Sequence, residues 1–134
     1  TSICLDVPNG SLDEGATIQL FSCQNSPNQQ MRVSWGQRGQ FVAMPGTNGA
    51  RGYPMCLDYY PGSGAPGDPI TIWPCHPLHT AVRDSQVWWP VQNQLRSNTG
   101  RCIAPQNGTG GGPLVLADCY YGGPNKTPYD WVQR

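Results

Sequence analysis

Few side chains in this 134-residue sequence could serve as acid, base, nucleophile or metal ligand, and their spacing limits the chemistry open to them. His76 and His79, in His76-Pro77-Leu78-His79, stand near enough to share an ion. The segment before them reads as a strand rather than a helix, and Asp84 would have to complete the ligand set across a loop, so no metal site is expected. Asp6 and Asp58 both follow Cys-Leu, but they fall in separate copies of a repeat, which gives no reason to treat them as a glycosidase acid and base pair. No nucleophile has an evident base beside it. Neither catalysis nor a cofactor is expected.

The cysteines carry more information. They form three pairs, Cys4 and Cys23, Cys56 and Cys75, Cys102 and Cys119, spaced 19, 19 and 17 residues apart. The first member sits in Cys4-Leu5-Asp6, Cys56-Leu57-Asp58 and Cys102-Ile103-Ala104. The second closes Ile18-Gln19-Leu20-Phe21-Ser22-Cys23, Ile70-Thr71-Ile72-Trp73-Pro74-Cys75 and Leu114-Val115-Leu116-Ala117-Asp118-Cys119. These second segments alternate apolar and variable residues, the period of a half-buried strand. Turn-rich stretches such as Pro8-Asn9-Gly10 and Pro61-Gly62-Ser63-Gly64 lie between the two cysteines of a pair, so each pair brackets a hairpin-like unit. Self-similarity at this period makes the chain a threefold repeat.

Further strands are expected after each pair, at Met31–Trp35, Val87–Val91 and Trp131-Val132. In the first two repeats another follows, at Gln40–Met44 and Gln94–Ser97. No stretch sustains a 3.6-residue apolar period, and Gly and Pro, 17 and 14 in number, would break one, so helices are expected to be single turns at most. The fold class is all-β, with one bridge expected inside each repeat.

Lys plus Arg and Asp plus Glu number 8 each, so the chain has no net charge and no basic stripe with which to displace counterions from a nucleic acid. No apolar run is long enough to cross a bilayer, and with no charged-then-apolar stretch at Thr1 a mature form or an excised domain is expected. Six paired cysteines imply an oxidising compartment, hence secretion or display at the cell surface.

Cys-Leu-Asp, then Ile-Gln-Leu-aromatic-x-Cys, then a Gln-x-Trp element, in three ordered copies, resembles the ricin-B lectin family over essentially the whole chain. The last element is intact as Gln86-Val87-Trp88 and altered as Gln29-Gln30-Met31 and Tyr129-Asp130-Trp131. The resemblance implies a β-trefoil, in which three four-strand units surround a pseudo-threefold axis. Residues 1–134 are expected to form a single such domain, with repeats at about 1–45, 46–97 and 98–134. A full trefoil has twelve strands and eleven are counted here, because none precedes Thr1-Ser2-Ile3.

The resemblance also implies non-catalytic sugar binding. A sugar has hydroxyls around its edge and C–H patches on its faces, so a site needs an aromatic platform and fixed polar groups. In repeat one Asp6 matches the hydroxyl-accepting carboxylate, Phe21 the platform, and Asn28 and Gln29 the amides that bond hydroxyls and brace the Asp. Gln19, two residues before Phe21 on the same strand, faces the same side. In repeat two Asp58, Trp73 and Gln86 match the carboxylate, platform and brace, while Ser85 stands where repeat one has Asn28. The Cys75-to-Gln86 loop there runs eleven residues against six from Cys23 to Gln29, and either adds contacts or obstructs the pocket. Repeat three, with Ala104, Ala117, Pro128 and Tyr129 at these places, is structural only.

The expected ligands are glycans containing galactose or N-acetylgalactosamine, with xylan-like chains as the alternative. An attached catalytic or toxin domain is a further expected partner; nucleic acid and membrane insertion are not. The competing reading is a protein-interaction trefoil, a hydrolase inhibitor or a subunit of a toxin or enzyme assembly, with degenerate sugar sites. In that case Asp58 and Asp6 would only cap turns, and Phe21 and Trp73 would only pack. Trp88 and Trp131 belong to the core on either reading.

Overall fold

The computed structural model describes residues 3–33, 39–75, 85–91, 94–107 and 112–119. Within them lie ten strands: β1 (Ile3–Asp6), β2 (Gln19–Ser22), β3 (Met31–Val33), β4 (Phe41–Ala43), β5 (Met55–Asp58), β6 (Thr71–Pro74), β7 (Trp89–Val91), β8 (Gln94–Arg96), β9 (Arg101–Pro105) and β10 (Gly112–Asp118). Two single 3-10 turns, Pro8–Gly10 and Pro27–Gln29, are the helical elements among these residues, as the density of Pro and Gly requires. No helix of the described residues is long and apolar enough to cross a membrane. The strand expected at Trp131-Val132 lies outside the described residues.

Each cysteine pair closes an antiparallel hairpin. β1 pairs with β2, β5 with β6 and β9 with β10, and the three disulfides join Cys4 to Cys23, Cys56 to Cys75 and Cys102 to Cys119. The repeats are then tied to one another at the start of each second strand. Ile18 N–H donates to the Ile70 carbonyl at 3.0 Å, Ile70 N–H to the Leu114 carbonyl at 3.0 Å, and Leu114 N–H to the Ile18 carbonyl at 3.1 Å. This closed ring of three backbone hydrogen bonds, made by equivalent residues, marks the pseudo-threefold axis of a β-trefoil. It also accounts for β10 starting at Gly112 rather than at the expected Leu114, because Gly112 and Pro113 pair with Leu20 and Gln19 of β2.

Side chains repeat in the same layers. Ile18, Ile70 and Leu114 are buried at the axis; Leu20, Ile72 and Leu116, two residues further along each strand, form the next layer, and Leu5, Leu57 and Ile103 face them from the partner strands. Alternate residues of a strand share a face, so this register turns Gln19 and Phe21 of β2 outward while Leu20 enters the core. Trp88 is fully enclosed and donates its indole N–H to the Leu57 carbonyl at 3.2 Å, so it packs inside without leaving a polar atom unpaired. It sits just before β7 in a bridge with Gly39 rather than within the strand expected over Val87–Val91. Met31, at the same place in repeat one, packs against the core only partly buried.

Candidate carbohydrate site

In repeat one the β1–β2 register sets Asp6 directly opposite Gln19 and Cys4 opposite Phe21. The 3-10 turn at Pro27–Gln29 folds back onto this hairpin, held by a 2.9 Å bond from Val7 N–H to the Asn28 carbonyl. Three amides then converge on one carboxylate. Gln19 Nε2 donates to Asp6 Oδ1 at 3.0 Å, while Gln29 Nε2 and Asn28 Nδ2 donate to Oδ2 at 2.9 and 3.3 Å. An ionised carboxylate has about four acceptor positions. Oδ2 is filled by its two amides, and Oδ1 keeps one position, the one a ligand hydroxyl can take.

The amides divide by role. Gln29 is buried, and its Nε2 also donates to the Ser22 carbonyl while its Oε1 accepts from Gln24 N–H, so it is a brace with nothing left to offer. Asn28 spends both amide hydrogens on Asp6 and the Val7 carbonyl and accepts from Ser26 Oγ. Gln19 keeps one N–H and its Oε1 among the described residues. Phe21, 46 % exposed, stands beside this group. Between them lies a cleft of about 440 Å³ lined by Asp6, Gln19, Phe21 and Asn28, with Pro8, Asn9 and Gln24 completing its rim. Asp6 itself is only 3 % exposed and lines this cleft.

Repeat two has the same brace and a different outcome. Gln86 Nε2 donates to Asp58 Oδ2 at 3.0 Å and to the Pro74 carbonyl at 2.9 Å, as Gln29 does to Asp6 and Ser22, and Gln40 Nε2 adds a bond to Gln86 Oε1. Asp58, however, has 0 % exposure, and its Oδ1 accepts from Tyr60 N–H two residues on, which closes a turn. Thr71 replaces Gln19 opposite it and is too short to reach the carboxylate; its hydroxyl donates to the backbone carbonyls of Asp58 and Tyr60.

Trp73 is half-buried rather than open. Its indole N–H is held by the Tyr60 carbonyl, and its ring stands edge-on to Tyr60 at 5.2 Å. The hydroxyl of Ser85 is buried with no hydrogen-bond partner among the described residues, where it does not reproduce what Asn28 does in repeat one. Ala104 and Ala117 of repeat three offer neither carboxylate nor ring. Pro128 and Tyr129, like His76, His79 and Asp84, lie outside the described residues. Among the described residues, no group of three or more His, Cys, Asp or Glu could hold a metal ion.

The model of the ricin-type β-trefoil lectin domain matches residues 1–127. The chain belongs to this family. Domains of the family bind glycans, which suggests carbohydrate binding for this ricin-type domain. A designed threefold-symmetric protein, ThreeFoil, is similar in structure, with a TM-score of 0.62 at 23 % identity over 88 % of this chain and 83 % of that one. That likeness concerns the fold alone. A search of curated proteins finds no match.

Three rim residues of the lectin domain's cleft are not legible in its motif. Pro8 and Asn9 belong to the turn that follows Asp6, and only its backbone path, with Asn9 at φ 57°, carries them to the cleft edge. Gln24 arrives because the residue after Cys23 is held by Gln29 Oε1. The one available signal was position, since all three stand within three residues of a strand that carries the motif.

Proposed function

We propose that this ricin-type domain is a lectin that performs no chemistry on its ligand and holds galactose or N-acetylgalactosamine at the repeat-one cleft. What carries the reading is the carboxylate of Asp6, held by three amides with one acceptor position left, next to an exposed Phe21. A sugar lying with its C–H face on Phe21 donates one hydroxyl to Asp6 Oδ1, and Gln19 supplies an amide to a neighbouring oxygen. Because Oδ1 is fixed before the ligand arrives, the site favours a hydroxyl at one angle to the ring face, which is how an axial group is told from an equatorial one.

Repeat two is assigned to the scaffold in this proposal. The enclosure of Asp58, its turn bond to Tyr60 and the side-on packing of Trp73 all favour that role over an open sugar site. One solvated site gives an affinity near the millimolar end, about −4 kcal/mol, since hydroxyls exchange water for protein at little net gain. Useful attachment then comes from several copies or an attached domain engaging one glycan surface. Disulfides in each repeat fit a secreted or surface location, and residues 1–134 are proposed to act as a single domain.

A glycan array tests the reading. Wild type is expected to bind galactose-terminated glycans, and Asp6→Ala, folded by circular dichroism, is expected to lose them. Retained binding in Asp6→Ala would overturn the repeat-one site, and none in folded wild type would favour the protein-interaction alternative.

A further inference from the structure

A second cleft, of about 270 Å³, lies on the β7–β8 hairpin, away from the repeat-one site, and is lined by Trp89, Val91, Arg96, Ser97 and Asn98. Trp89 and Arg96 are directly opposite each other across the two strands, so their side chains share a face, and Val91 lies two residues along on that same face. Arg96 is exposed and has no carboxylate partner among the described residues, where the ion pairs are Arg51 with Glu14 and Arg101 with Asp118.

The remaining wall is held rigidly. Asn98 Oδ1 accepts from the Tyr59 hydroxyl at 2.6 Å, and Tyr59 is itself buried edge-on against Trp88. Thr99 Oγ1 shares a hydrogen with Ser97 Oγ at 2.8 Å and donates to the Gly64 carbonyl at 2.8 Å, which pins the loop after β8. With one position of its oxygen taken by Tyr59, Asn98 keeps its N–H groups among the described residues, and the Ser97 hydroxyl is engaged by Thr99. The one charged group of the lining is the Arg96 guanidinium, beside an indole and a valine. This is the reverse of the repeat-one site, where a carboxylate awaits donors.

A lining of that kind takes a ring that bears a carboxylate. Arg binds a carboxylate through two parallel N–H bonds, Asn98 adds a third donor, and the C–H face of the ring covers Trp89. The volume falls just under the roughly 300 Å³ at the lower end of small-molecule clefts, enough for one sugar ring rather than a run of them. We propose that this cleft is a second ligand site, specific for a hexuronic acid residue of a glycan. The carboxylate follows from the cleft itself; that it is carried on a sugar rests on the lectin reading.

The test is a titration of the full chain, followed by tryptophan fluorescence and calorimetry, with methyl β-glucuronide, methyl β-glucoside, acetate and methyl β-galactoside. The glucuronide is expected to bind about tenfold or more tighter than the glucoside or acetate, and to weaken as salt rises. Arg96→Gln and Asn98→Asp, the first at an exposed position and the second keeping the Tyr59 bond, are expected to reduce it to the glucoside's level. Asp6→Asn is expected to leave it unchanged while abolishing galactoside binding. Equal binding of glucuronide and acetate would mean an anion site only and overturn the sugar assignment. Glucuronide binding that is absent, survives Arg96→Gln or disappears in Asp6→Asn overturns the site. Failure of the galactoside alone overturns the repeat-one reading and not this one.

Discussion

At the scale of single residues, two aspartates in the same Cys-Leu-Asp context have diverged because of what stands opposite them. Gln19 reaches Asp6 from across the hairpin and leaves the carboxylate facing a cleft; Thr71 bonds the backbone of Asp58 but not its carboxylate, which turns to Tyr60 N–H and is sealed. Replacing either Asp by Asn sets an amide against an amide donor and is expected to cost about 1–3 kcal/mol in denaturant titrations. Only Asp6→Asn is expected to remove sugar binding. Phe21→Ala, at an exposed ring, is expected to change stability by less than about 0.5 kcal/mol and to weaken galactoside binding by about 1 kcal/mol, roughly fivefold. A large stability loss in Phe21→Ala would show that the ring packs rather than serves as a platform. The motif named Asp6, Gln19, Phe21, Asn28 and Gln29 together, and these residues do come together in the fold. What the motif left out is that Gln29 is fully occupied as a brace.

At the scale of elements, the hairpins were legible because cysteine spacing and period-2 alternation coincide, whereas strand ends were not. β10 begins at Gly112 because it must pair with β2 as well as β9, a contact between distant repeats that no local pattern encodes. The closure of the repeat-two group was similarly hidden. It depends on Tyr60, a turn residue outside the motif, bonding Asp58 and standing edge-on to Trp73. Turns between strands also carry load. Gly64 has φ 91°, and a Cβ there would run into the Thr99 side chain, which donates to the Gly64 carbonyl. Gly64→Ala is therefore expected to destabilise by more than about 1 kcal/mol and to loosen the loop that frames the Arg96 cleft, seen as faster amide exchange over residues 97–100. Unchanged exchange would place the load elsewhere.

At the scale of the whole molecule, three units that could not each bury a core share one. The ring from Ile18 to Ile70 to Leu114 means that no repeat can leave without breaking bonds in the other two. Unfolding is thus expected to be a single transition, with fluorescence and circular dichroism coincident, even after one disulfide is removed. The three loops are nearly equal in length, so replacing any one pair by Ser is expected to cost a similar amount, about 3 kcal/mol on a chain-entropy account. Trp88→Ala, which empties the core under β5, is expected to cost about 3–5 kcal/mol. Binding is expected to be asymmetric although the scaffold is nearly threefold, because surface residues are free to differ where the layers beneath them are not. The central claim is that the neutral-sugar site lies at Asp6. Calorimetric titration of galactose into wild type, Asp6→Asn and Asp58→Asn tests it most directly. One weak site, lost in Asp6→Asn and kept in Asp58→Asn, is the predicted result; binding that disappears in Asp58→Asn and persists in Asp6→Asn would contradict it.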